Sequence, residues 1–324
     1  MTDRFADLPL WALEILRCPQ TDQALTLRDN RLVRQDGSDV GLVESGIVRM
    51  PMTKEDDNIR IYKRLGGAHF WERAKIPYAM SALDTPIYHE YLREVRPPSV
   101  EAVIVDVGGG DGRNTRPWLE QGFQRVVVVD AVAEALARLR SRIKAEAPDW
   151  LERVLLLEAD ARSLPLATGC ASTVLAIESL YYLNDDYERG LRECVRVLKR
   201  GGKMLLSERD YEGGLFLRLL YHGIAPMLDS SHSHSIVDGE GDATMRTRCF
   251  TEAELVAMLS RNGLRVNSVR GTSLLAMVLG WMRHKELIAT SDVAHLDETT
   301  ALLRDLGREG RNRRCHVAVA ERIG

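Results

Sequence analysis

The chain has 324 residues, the length of about two domains, and 45% hydrophobic with 28% charged residues excludes a wholly disordered protein. Lys and Arg number 44 against 47 Asp and Glu, a net charge of −3, which argues against a protein that gains its affinity chiefly from a nucleic-acid backbone. The opening MTDRFADLPLW carries acids where a secretory leader carries basic residues, so a cytoplasmic location is expected. Five scattered cysteines (Cys18, Cys170, Cys194, Cys249, Cys315) form no C-x-x-C pair; they read as free thiols, and no metal is expected.

Residues 8–52 read as a small β-rich module, with strand-like pieces at 24–27, 31–34 and 41–49 divided by Asp29-Asn30 and Asp36-Gly37. Residues 53–99 read as a helical connector that ends at Arg96-Pro97-Pro98. From 100 to 324 the pattern changes to buried strands alternating with amphipathic helices. Strands are expected at 101–107, 125–130, 153–160, 172–179, 203–208, 264–270 and 314–322. Helices fall through Trp118 and Leu119, over 132–146, over 185–200 up to Gly201-Gly202, and after Thr251, whose Glu254 completes a capping box. The whole predicts a doubly wound α/β fold with a mostly parallel seven-stranded sheet. Two insertions interrupt it, at 211–249 and 272–312.

The site-bearing signal is Asp106-Val107-Gly108-Gly109-Gly110-Asp111-Gly112, at the end of the first strand of the alternating region. Gly108, Gly110 and Gly112 allow a tight turn and close approach of backbone to a ligand. A dinucleotide fingerprint would place its third glycine at 113, where Arg stands, which disfavours NAD and FAD. Asp130 ends the second strand about twenty residues on, where an acid can accept both hydroxyls of an adenosine ribose. Asp160-Ala161 ends the third, where an acid can accept from an adenine amino group.

Taken together, D-x-G-x-G-x-G, the acid ending strand two and Ala-Asp-Ala ending strand three resemble the class I S-adenosylmethionine-dependent methyltransferases, over about residues 100–324. The resemblance implies a Rossmann-like methyltransferase fold with S-adenosylmethionine as cofactor. It places Asp106 near the methionine end, Gly108, Gly110 and Gly112 against the cofactor, Asp130 on the ribose, and Asp160 with Ala161 at the adenine. Ile177, Glu178 and Ser179 fall beside cofactor and acceptor. A second resemblance covers the first fifty residues: Leu16-Arg17-Cys18-Pro19 is similar to a zinc-ribbon-like activator module of translation- and tRNA-directed methyltransferases. Thr21 stands where that module has its second cysteine, so the module is degenerate and must be held by hydrophobic packing.

Catalytic candidates lie beyond the strand ends: Glu178 and Tyr181, and the pair His232 and His234 in the first insertion. Against these stand packing at a helix start for the tyrosines and a mobile polar loop for the histidines. The turn Glu208-Arg209-Asp210-Tyr211 reads either as a further candidate or as a solvated charged turn. Strand directions put both insertions on the cofactor side, so with 53–99 they are read as a substrate lid. The apolar run 274–282 is too short for a membrane span and is assigned to burial under that lid or to a homodimer contact. Arg304, Arg308, Arg311, Arg313 and Arg314 are offset by Asp305 and Glu309 and read as a solvated face rather than an RNA contact. The expected function is methyl transfer to a small-molecule acceptor at O, N or C. An rRNA or tRNA methyltransferase and a non-catalytic scaffold are the alternatives.

Overall fold

The computed structural model describes residues 8–52, 54–66, 85–238, 244–275 and 313–324, with isolated positions between 278 and 305. After α1 (Ala12–Ile15) come four short strands, β1 (Thr26–Arg28), β2 (Arg31–Val33), β3 (Asp39–Glu44) and β4 (Ile47–Arg49). The single strand expected over 41–49 is a hairpin instead, because Ser45 and Gly46 both take left-handed backbone (φ 51° and 71°). Helices α2 (Asp57–Arg64) and α3 (Thr85–Leu92) follow.

The alternating region then runs β5 (Val103–Val107), α4 (Arg116–Glu120), β6 (Arg125–Asp130), α5 (Ala133–Glu146), β7 (Val154–Glu158), β8 (Ala171–Ile177), α6 (Tyr187–Val197) and β9 (Leu198–Asp210). After it come α7 (Tyr211–His222), α8 (Ile224–Ser233), β10 (Ser235–Asp238), β11 (Met245–Phe250), α9 (Glu252–Arg261), β12 (Leu264–Ser273) and β13 (Arg313–Arg322). Helix α6 stops at Val197 rather than at the glycines, since Leu198 already pairs with Ala171 of β8.

Seven strands lie in the order β7-β6-β5-β8-β9-β13-β12, parallel except for β13, which runs antiparallel to both β9 and β12. Every residue of β5, β7 and β8 is buried, as expected of strands covered by helices on both faces. The chain reverses direction across the sheet between β5 and β8. Ligands of such sheets collect above that point, at the carboxyl ends of the strands.

The N-terminal strands are not a separate body. Ile47, Val48 and Arg49 of β4 pair in parallel with Leu156, Leu157 and Glu158 of β7, so the sheet continues through β4-β3-β2-β1. Trp11, Ile15, Leu16, Cys18, Leu25 and Val48 share one apolar core with Leu155, Leu157, Leu164 and Leu166. Burial of this kind contributes roughly 25 cal/mol per Å² of apolar surface, and it holds these strands to the main sheet.

Residues 211–249, expected as an insertion with no elements of its own assigned, form two helices and a β-hairpin within the described part, with β11 adding in parallel to the end of β9. Gly213 and Gly214 start α7 where Asp210 caps it, through a 2.6 Å bond from the Gly213 amide. Most of 272–312 lies outside the described residues, including most of the apolar run 274–282 and Arg304, Arg308 and Arg311. No helix among the described residues is long and apolar enough to cross a membrane.

Candidate active site

The loop after β5 shows why glycine is required there. Gly108 has φ +74°, and a Cβ on it would lie 2.3 Å from the Cβ of Ser179. Gly112 has φ +86°, and its Cβ would lie 2.5 Å from Leu139 of α5. Asp106, buried, accepts a 2.7 Å hydrogen bond from the Thr115 hydroxyl, and burial pushes its pKa up to about 6. Across the loop, Asp130 accepts the amides of Gly110 and Val132, each at 2.9 Å, one on either oxygen. Burial pushes it up to about 6 as well. Two acids that the fold holds against their solvation preference face one glycine loop.

A cavity of about 240 Å³ opens between these elements. Its floor is Gly108 to Asp111 with Asp130, one wall is Ala159, Asp160 and Ala161, and another is Ile177, Ser179 and Tyr182. Helix α2 adds Asn58, Ile59 and Tyr62 to its lining. The Tyr62 ring meets the Tyr182 ring edge-on, centroids 5.3 Å apart. Asn58 fixes this helix: its amide donates to the carbonyls of Tyr182 and Arg246, each at 2.7 Å. Two buried polar atoms in the wall, Asn114 Oδ1 and Ser179 Oγ, have no partner within the described protein. Both atoms stand beside the cavity, where a ligand's polar groups could reach them.

Asp106, Gly108, Gly110, Gly112, Asp130, Asp160, Ala161 and Ile177 thus come together at one cavity or in the loop beneath it. The catalytic candidates fare differently. Glu178 borders the cavity with left-handed backbone (φ 53°), but its carboxylate is already engaged. Arg314 donates two hydrogen bonds to it, at 3.0 and 2.5 Å, and the Tyr88 hydroxyl donates a third at 2.8 Å. A carboxylate in a bidentate guanidinium pair is a poor proton acceptor. Tyr181 is fully buried, its hydroxyl donating to Glu178 at 3.4 Å, under the Arg209 guanidinium; the ring lining the cavity is Tyr182.

His232 and His234 lie away from the cavity, at the exposed end of α8. His234 ends that helix in left-handed backbone, stacks on Tyr211 (4.4 Å) and faces Glu254 at 3.3 Å. Both are exposed and neither lines the cavity, which corrects their assignment to the site. Arg314 is likewise corrected from a solvated face to a fully buried ion pair, and Glu208 and Arg209 from a solvated turn to the interior of β9.

Sequence reasoning missed Asn58, Tyr62, Tyr88, Arg162 and Arg314. Asp56 before an apolar Ile59 and Ile61 is a helix-start signal that could have located α2. The Glu178–Arg314 pair spans 136 residues, and no local pattern reveals it.

Comparison with known proteins agrees with this geometry. Residues 105–206 match the family described as methyltransferase domain. A 2-methyl-6-phytyl-1,4-hydroquinone methyltransferase of Spinacia oleracea is 36% identical over 105 residues, 32% of this chain and 28% of that protein. The chain therefore spans under a third of the length of that curated relative. Among solved structures, the CcbJ methyltransferase of Streptomyces caelestis aligns with TM-score 0.50 and 16% identity, over 75% of this chain and 90% of that one. The [4+2]-cyclase SpnF aligns with TM-score 0.50 and 16% identity, over 72% and 80%. These likenesses show a Rossmann-like fold, and residues 105–206 are similar to a methyltransferase domain.

Proposed function

We propose that the chain transfers a methyl group from S-adenosylmethionine to a small-molecule acceptor. The observation that carries this reading is the cavity between the glycine loop and Asp130, lined also by α2. Its residues fit the cofactor. The Asp130 carboxylate is oriented by two backbone amides and stands where ribose hydroxyls would donate to it. Asn114 Oδ1 and Ser179 Oγ supply unsatisfied acceptors beside the loop. The cofactor brings an activated methyl on a sulfonium, so the acceptor–carbon bond forms as the carbon–sulfur bond breaks and sulfur keeps the electron pair. An acceptor that arrives protonated gives its proton to solvent.

What the chain contributes is positioning and the exclusion of water. Asn58, Ile59 and Tyr62 line the cavity, and the loop fixes one end of the cofactor. Alignment of this sort is worth roughly 7–11 kcal/mol of barrier in well-oriented reactions. With Glu178 committed to Arg314, the chemistry rests on alignment rather than on that carboxylate as a base. The −3 net charge favours a small acceptor over RNA. The hydroquinone relative points the same way.

The same fold in SpnF, called a cyclase, shows that fold alone does not set the reaction. A transfer assay separates the readings. With methyl-labelled S-adenosylmethionine and a cell extract split into small-molecule and RNA fractions, label is expected in the small-molecule fraction. Label confined to RNA would overturn the acceptor class, and no transfer to any fraction would favour a scaffold.

A further inference from the structure

Residues 159–161 form the adenine-side wall of the cavity, and the next residue, Arg162, is fully buried. Its side chain reaches four partners. The backbone amide and Nε of Arg162 both donate to Asp160 Oδ1, at 2.9 and 2.8 Å. One terminal nitrogen donates to Asp56 at 2.9 Å and to Asp186 at 3.1 Å, and the other to the Lys54 carbonyl. Asp56 is the N-cap of α2, accepting the Ile59 amide through Oδ1 while Oδ2 takes the arginine. One guanidinium therefore binds the wall of the cavity on one side and the first turn of α2 on the other.

We propose that Arg162 is a positioning residue that couples the cofactor wall to α2, so that Asn58, Ile59 and Tyr62 cover the cofactor only while the Asp160–Arg162–Asp56 tie is intact. The charges support a built cluster rather than a chance contact. Three carboxylates (Asp56, Asp160, Asp186) surround Arg162, and Lys54 pairs with Asp186 at 2.9 Å. The planar fork of arginine can satisfy these directions at once, whereas lysine offers a single point. The geometry also explains why an aspartate and not a serine caps α2: one oxygen serves the helix and the other serves the tie.

This inference rests on the cofactor reading, and its test separates the two. Asp56→Asn keeps an N-cap acceptor for Ile59 but removes the one charged partner of Arg162 that belongs to α2's cap. Hydrogen exchange of the α2 amides is measured first without ligand, then S-adenosylhomocysteine binding is measured by titration calorimetry on the full chain. The expected result is at least tenfold faster exchange in α2 with β7 unchanged, and at least tenfold weaker binding. Arg162→Lys is expected to fall between wild type and Arg162→Met in both readouts. A merely structural arginine would lower the melting temperature while leaving the binding constant of the folded Asp56→Asn protein unmoved. Unchanged α2 exchange in Asp56→Asn, or unchanged affinity, overturns the proposal. Failure of the wild type to bind S-adenosylhomocysteine instead overturns the cofactor reading, and the exchange result in the absence of ligand still decides the tie.

Discussion

Asp130→Asn separates what the site costs the fold from what it gives the ligand. Moving the Asp130 carboxyl from an ordinary 3.8 to about 6 corresponds to about 3 kcal/mol in favour of the neutral acid. Because the folded value is the higher one, this penalty is absent below about pH 4, grows between 4 and 6, and is complete above 6. Asparagine carries no such penalty. It does replace one oxygen with an NH₂, which leaves the amide of Gly110 or Val132 without its acceptor, at a cost of about 1–3 kcal/mol.

The variant is therefore expected to be about 0–2 kcal/mol more stable than wild type at pH 8 and about 1–3 kcal/mol less stable at pH 4. Binding moves the other way. Two ribose hydroxyls lose a charged acceptor worth about 1.5–3 kcal/mol each, a loss of a hundredfold or more. Urea denaturation at the two pH values reads the first effect and S-adenosylhomocysteine titration the second. A variant destabilised equally at both pH values, or one that binds like wild type, would refute the reasoning. Wild-type binding is also expected to weaken as pH falls through 6.

Glu178→Gln should cost about 3–5 kcal/mol by urea denaturation, since it leaves the Arg314 charge buried without its ionic partner, and adding Arg314→Leu should recover part of that. His232→Ala and His234→Ala should change methyl transfer less than about twofold (under 0.4 kcal/mol in rate), because both side chains lie outside the cavity; a loss of tenfold or more would return them to the site. Burial raises the Glu208 carboxyl well above its ordinary range, and the Tyr187 hydroxyl and the Arg248 charge offset this only in part. Its neutral form is the one the fold favours, so Glu208→Gln should gain in melting temperature over wild type as pH rises from 5 to 8. A gap that stays flat with pH would contradict that.

Those residues also show where sequence reading succeeds. The strands and the glycine loop were legible because their constraints are local: a run of apolar residues must be buried, and a loop that touches Ser179 and Leu139 must be glycine. Asp130 was legible because its place is set by the end of a strand. Glu178, Tyr181 and the histidine pair share the same kind of local context but not the same fate. Their roles depend on partners far along the chain: Arg314, Arg209 and Tyr88 for the first two, and an exposed helix end for His234. The N-terminal strands were legible as strands, whereas their pairing with β7 required register across more than a hundred residues.

A crystal structure of the full chain with S-adenosylhomocysteine tests the central claim most directly. The prediction is a ligand in the cavity under α2, with both ribose hydroxyls on the Asp130 carboxylate, the adenine beside Asp160 and Ala161, and sulfur facing Tyr62 and Tyr182. A ligand bound elsewhere, or seated there without contact to Asp130, would contradict it.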